Sequence, residues 1–351
     1  MEPSQLLAFS ACVTSRIGVP GTIFRLKSVP FGEMTLRKLF IWSTASAIVL
    51  ALAGDITKPL SAQSGNFGWS AAAAGDAVLV GQPANFYGPG AVYVYTRSGT
   101  NGWSESARFY APDSILGDNF GRSIAASSGI VLVGAPNKDD GEGAVYWIQR
   151  GDNGSWSTPS RVSAPDGAEA AFGTDVELSP EAAFVGAPGS GDRGAVYSLA
   201  LGAEGIAGKI QPASLAASSG FGTALSFEDN ALLVGAPGAG TAYVFRQADG
   251  QWVEDGVLNG SSVTGRSGSA LGSAVLLHGG RAFVAAPRAN GTGAVAVFER
   301  GPEGWQWTDD LLPTGDGMRA GFGTALAAAG DEVWVGAPGA GGGDGVVFRY
   351  S

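Results

Sequence analysis

Two short markers return six times along the 351-residue chain at a near-constant interval. An aromatic-glycine pair opens the copies at Phe67-Gly68, Phe120-Gly121, Phe172-Gly173, Phe221-Gly222 and Phe322-Gly323, with Leu271-Gly272 in the fifth. An apolar segment follows and ends in Gly-Ala-Pro or a close variant, its proline at Pro83, Pro136, Pro188, Pro237, Pro287 and Pro338. Successive openings stand 53, 52, 49, 50 and 51 residues apart. Self-similarity at such a period means that each copy is one supersecondary unit, which buries its apolar surface only by stacking on its neighbours.

After each proline comes a glycine-rich loop and a third apolar segment, such as Ala91-Val92-Tyr93, Ala144-Val145-Tyr146 or Ala195-Val196-Tyr197. A fourth segment opens on Trp103, Trp156, Trp252 and Trp305 in four copies. The β-branched and aromatic content between turn signals predicts four short strands per unit. Glycine supports this: 57 of 351 residues, without a Gly-X-Y period, belong to turns and not to collagen. Gly68, Gly121 and Gly173 are expected where backbones approach closely.

Stacked radially, such units cover each other's faces and leave only short edges. The sequence therefore predicts an all-β, six-bladed β-propeller of four-stranded antiparallel blades, with an open solenoid as the alternative. The marker phenylalanines are read as fillers between blades, each contributing about 1.5–3 kcal/mol on full burial. The last unit stops at Ser351, directly after its third segment. An N-terminal strand is expected to complete that blade, and residues 55–62 are read as that strand. Pro59 is tolerable there because an outermost strand has a free edge.

Upstream, residues 1–33 show no sustained apolar period and read as irregular or as lying before the true start. From Met34, a short basic head with Arg37 and Lys38 precedes the apolar run Leu39–Ala53. This pattern resembles an export signal over residues 34–53, ahead of a mature region of residues 54–351. As a helix the run spans only about 22 Å, short of the roughly 30 Å hydrocarbon core. Membrane contact is expected only if residues 39–53 are retained as an anchor. The expected location is extracytoplasmic, secreted or at the cell surface. Cleavage after Ala53 would also remove Cys12, the sole cysteine, so no disulfide would staple the fold.

The paired Phe-Gly and Gly-Ala-Pro markers resemble the FG-GAP repeat family, the blade type of integrin α-subunit propellers, over about residues 60–351. The resemblance implies an extracellular protein that binds other proteins, although propellers of this type also serve as hydrolases. It also implies calcium where a loop between the first two strands carries alternating aspartates. Here those positions hold only tight turns such as Ala74-Gly75-Asp76, Glu228-Asp229-Asn230 and His278-Gly279-Gly280. Calcium needs six to eight hard oxygen ligands. No metal or other cofactor is therefore expected.

Few residues offer other chemistry. One Cys and one His cannot assemble a Cys/His zinc site. His278 has no partner evident from position and reads as an exposed turn residue. Asn137-Lys138-Asp139-Asp140-Gly141-Glu142 is the densest oxygen cluster and reads as a solvated turn, or else a weak cation site. Asp113, Asp118 and Asp309-Asp310 read as solvent-facing. The in-register tryptophans read as packing residues, whereas Trp69, Trp147, Trp307 and Trp334 break register and deserve inspection, with Phe86 and Tyr87 nearby. Asn153, Asn259 and Asn290 open acceptor sequons that Asn-Gly turn chemistry explains.

The formal net charge of −10 excludes a nucleic-acid backbone as partner. The first expectation is an exported scaffold for protein binding or adhesion, with a protein or glycan ligand and no catalytic residues. The loops 84–89 and 288–293 would supply its ligand surface. The alternative is a propeller hydrolase with an acidic pair in the central mouth.

Overall fold

The computed structural model describes residues 22–24, 66–83, 88–98, 102–127, 129–167, 169–201, 205–314 and 321–351. Twenty-four strands form six four-stranded antiparallel sheets, the blades of a six-bladed β-propeller. Blade one holds β2 (Ala71–Ala74), β3 (Ala77–Gln82), β4 (Ala91–Ser98) and β5 (Gly102–Phe109). Blade two holds β6 (Ser123–Ala126), β7 (Ile130–Ala135), β8 (Ala144–Gln149) and β9 (Ser160–Ser163). Blade three holds β10 (Val176–Leu178), β11 (Ala182–Ala187), β12 (Ala195–Ala200) and β13 (Ile206–Ile210). Blade four holds β14 (Ala224–Glu228), β15 (Ala231–Ala236), β16 (Thr241–Ala248) and β17 (Gln251–Asn259). Blade five holds β18 (Val275–His278), β19 (Arg281–Ala286), β20 (Ala294–Gly301) and β21 (Gly304–Leu311). Blade six holds β22 (Ala325–Ala329), β23 (Glu332–Ala337) and β24 (Val346–Tyr350), with β1 (Thr22–Phe24) as its outer strand.

The N-terminal strand thus comes from farther upstream than the sequence suggests. Thr22, Ile23 and Phe24 pair antiparallel with Arg349, Phe348 and Val347. A β-branched and aromatic triplet without proline suits that edge. Its place within residues 1–33 corrects the reading of that whole segment as irregular. Residues 34–53, 55–62, Phe86 and Tyr87 lie outside the described residues.

First strands of consecutive blades touch from β2 through β22, so they surround the axis. Antiparallel order then puts the inter-blade linkers and the loops after the marker prolines on one face. Turns between first and second strands lie on the other.

Glycine explains why the blades come so close. In every blade the marker glycine donates its N–H to the residue that opens Gly-Ala-Pro, for instance Gly121 to Gly134 at 3.0 Å and Gly272 to Ala285 at 2.9 Å. The marker glycines adopt φ between 84° and 94°, a region hostile to L side chains. Gly81, Gly134, Gly186 and Gly235 lie flat against the carbonyl of the next blade's marker glycine, where a Cβ has no room. This backbone-to-backbone contact repeats at four successive junctions.

Aromatic packing completes each junction. Phe120, Phe172, Phe221 and Phe322 are fully buried, and each joins an apolar cluster that includes the preceding blade. Each also meets a third-strand ring edge-on, as in Phe120–Tyr146 (5.3 Å) and Phe322–Phe348 (5.2 Å). Blade five loses both members together: Leu271 replaces the phenylalanine and Ala296 stands where the other blades have a ring. There Ser261 and Thr264 of the incoming linker turn inward and donate to Asp310.

Junction six-to-one differs. Gly336, the counterpart of Gly134, has only Ala325 of its own blade nearby, at 3.3 Å from a Cβ position. Phe67 is half-buried, and among the described residues no apolar cluster spans blades six and one.

Candidate functional site at the axial mouth

In a repeat protein, side chains that recur in register are explained by packing. Those that break register beside the axis need another explanation. The residue after each marker glycine lies at the start of an inner strand, next to the axis: Trp69, Arg122, Thr174, Thr223, Ser273 and Thr324, all half-buried. Thr174, Thr223, Ser273 and Thr324 turn their hydroxyls back onto the carbonyls of Ala171, Gly220, Ala270 and Gly321 at 2.5–2.7 Å. Trp69 and Arg122 have no such closure to make, and the Arg122 guanidinium stacks over the Trp69 ring at 4.2 Å.

A second break follows on β10 and the residue before it. The next position holds Ser70, Ser123, Asp175, Ala224, Ala274 and Ala325. Ser70 and Ser123 donate to the carbonyls of Gly121 and Gly173 in the following blade. Asp175 reverses the polarity: it accepts from the amides of Val176 at 3.0 Å and Leu225 at 2.8 Å. Two positions on, Glu177 stands where other inner strands carry Ala72, Ala125, Ser226, Leu276 and Ala327. Burial, then the neighbouring Asp175, pushes the Glu177 carboxyl well above the ordinary range, against a hydrogen bond from the Leu178 amide. Burial lowers the Arg122 value, opposed by Asp175. The inner strands of blades two and three therefore carry, beside the axis, a half-buried cation, a buried aspartate and a half-buried glutamate whose value is raised.

The oxygen-rich positions on the linker face are locks. Asp113 accepts from Tyr146 Oη (2.7 Å) and Arg161 (2.8 Å). Burial raises its value, but those two bonds outweigh it and the carboxyl ends below its ordinary range. Asp166 accepts in the same way from Tyr197, Lys209 and Ser190 in blade three. The β-ladders place Tyr146 opposite Arg161 and Tyr197 opposite Lys209, so the constellation recurs in register. Recurrence marks it as an anchor for the incoming linker.

Several expectations change here. Asp118 is buried and paired with Lys138 at 3.2 Å, so it does not face solvent. Lys138 itself is 4% exposed and donates to the Asp113 carbonyl at 2.7 Å, so residues 137–142 do not form a freely solvated turn. His278 is half-buried and not an exposed turn residue: Nδ1 faces Glu228 at 3.6 Å and Nε2 faces the Gly330 carbonyl at 2.7 Å, spanning blades four to six. Asp309 is exposed, whereas Asp310 is bound by Ser261, Thr264 and Trp307. Trp156 meets Phe109 of blade one, Trp252 meets Phe184 of blade three, and Trp305 donates to Asp255 of blade four. Trp147 is buried, and Trp307 is exposed far from the axis. Among the described residues no group of three or more His, Cys, Asp and Glu side chains gathers to hold a metal.

Fold and mouth together define a six-bladed β-propeller whose axial opening departs from its own repeat. Within that class the chain carries an FG-GAP repeat: the family described by that name matches residues 103–148, from the outer strand of blade one through β8 of blade two. The internal register extends the same unit around the ring. No curated protein matches the sequence. Among solved structures, the periplasmic gluconolactonase of Pseudomonas aeruginosa is similar with a TM-score of 0.51 and 16% identity, over 78% of this chain and 82% of that one. A protein assigned as a 6-phosphogluconolactonase from Bacteroides fragilis gives 0.53 and 13%, over 75% and 74%. A chain of the mitotic checkpoint complex gives 0.56 and 10%, over 82% and 77%. At these identities the likeness is one of fold.

Proposed function

We propose that the protein is a propeller hydrolase whose reaction takes place at the axial mouth, on a small ester or lactone. The observation that carries this reading is Glu177, a half-buried carboxyl group whose value burial raises, on an inner strand where five other blades have apolar or hydroxyl residues. A carboxyl with a raised value is a competent acid and base near neutral pH. As water adds to the carbonyl carbon, Glu177 gives its proton to the departing alkoxide oxygen and the ring C–O bond breaks. The proton lost by the water returns to the Glu177 carboxylate, and the enzyme is unchanged. Asp175 acts through Glu177 as a positioning residue, its charge fixed by two backbone amides.

The names of two similarly folded proteins supply the first substrate class to try, sugar lactones. Purified full-length protein in a pH-stat with D-glucono-1,5-lactone and simple aryl esters should show turnover above buffer. Glu177→Gln should lower kcat by about 100-fold or more. A panel without turnover would favour the scaffold reading, in which the exposed Arg288 and its loop are the first surface to test.

A further inference from the structure

Ion pairs hold several cations of the propeller's faces. Lys138 and Arg161 face Asp113, Asp118 and Asp139, Lys209 faces Asp166, and on the opposite face Arg300 faces Asp255. Arg122 is different. Among the described residues its guanidinium has neither a hydrogen bond nor an ion pair, although the side chain is half-buried at the axis. Its guanidinium carbon lies over the Trp69 ring, 4.2 Å from the centroid. The four hydroxyl residues at equivalent positions are closed on their own turns and compete for nothing in the mouth. Asp175, the nearest carboxylate electrostatically, has oxygens already held by amides.

We infer that Arg122, seated on Trp69, is the anchor for a small organic oxyanion, a carboxylate or phosphate, bound at the axial mouth. A planar guanidinium stacked on an aromatic ring is preorganised for a bidentate oxyanion and loses little freedom on binding. Partial desolvation strengthens the attraction. The inference shares its location with the hydrolase reading and names the substrate class for it, yet binding can be measured without turnover.

The test titrates the full chain calorimetrically with D-gluconate, inorganic phosphate and neutral D-glucose at low ionic strength. Gluconate or phosphate should bind and glucose should not. Arg122→Gln should weaken binding at least about 10-fold while the melting temperature holds. Arg122→Lys, which keeps the charge, should lose less and covers the case in which the glutamine variant folds poorly. The inference is overturned if neither anion binds at up to about 10 mM, the weak end of measurable affinity. It is equally overturned if glucose binds as tightly as gluconate, or if Arg122→Gln titrates like the parent. Anion binding lost in Arg122→Gln with no turnover in either protein would remove the hydrolase reading alone. Turnover of a phosphorylated sugar lactone with unchanged KM in Arg122→Gln would remove this inference alone.

Discussion

Gly134 lies with its Cα against the carbonyl oxygen of Gly173, so blades two and three meet backbone to backbone with no space for one added carbon. Gly336 holds the same place in blade six but faces only Ala325 of its own sheet. Neither glycine has a positive φ, so alanine is conformationally acceptable at both. Gly134→Ala must push two sheets apart and should cost about 2–4 kcal/mol. Gly336→Ala should cost less than about 1 kcal/mol. Urea unfolding of the two variants checks this, and equal losses would mean that the junction contact contributes nothing.

The linker anchors should appear in acid. Asp166 is raised by burial, but Lys209, Ser190 and Tyr197 overcome that and hold it at about 2, against 3.8 ordinarily. A value depressed in the folded state stabilises above the unfolded value, and that contribution is lost as pH falls from 3.8 through about 2. Because the Asp166 side chain is 32% exposed, screening leaves about 1 kcal/mol. Tyr197→Phe removes one donor and should shift the acid limb of a stability-pH curve upward. An unchanged limb would show that Lys209 alone sets the carboxylate.

Much of the ring can be read in the sequence, since Phe-Gly and Gly-Ala-Pro recur wherever the backbone must pass another blade. The closing strand could not be, because Thr22–Phe24 carries neither marker and pairs across more than three hundred residues. The Asp113 and Asp166 anchors were hidden for a similar reason: each acid meets its tyrosine only after a whole blade has folded back. A signal for the axial mouth did exist. Written in register, Arg122, Asp175 and Glu177 interrupt columns of Thr, Ser and Ala, whereas the density of carboxylates is highest around Asp139 and Asp140, away from the axis.

Pairing of β1 with β24 makes Thr22–Phe24 part of the propeller. A chain beginning at Met34 lacks β1 and leaves the outer edge of β24 open. Amide exchange along Val347–Arg349 should accelerate relative to the full chain, with a lower melting temperature. Unaltered protection would mean that the ring does not depend on β1, and would fit an export signal removed after residue 53.

Glu177 links stability to chemistry with a definite sign. Its folded value lies well above 4.5 because burial, and then Asp175, disfavour the charged form. Between the unfolded and folded values the native state holds the extra proton, so stability falls as pH rises through that window. Glu177→Gln keeps the shape and abolishes the titration. It should match the parent near pH 4, where both side chains are neutral, and become the more stable protein as pH climbs above 4.5. The same variant should lose turnover on any lactone the parent hydrolyses, since an amide cannot return a proton to the reaction. Gain in stability together with loss of activity is the pattern expected of a group held in an unfavourable environment for its chemistry. Thermal melts of both proteins from pH 4 to 9 decide it: parallel curves would show that Glu177 is charged and solvated in the folded state, and would remove the acid on which the reaction depends.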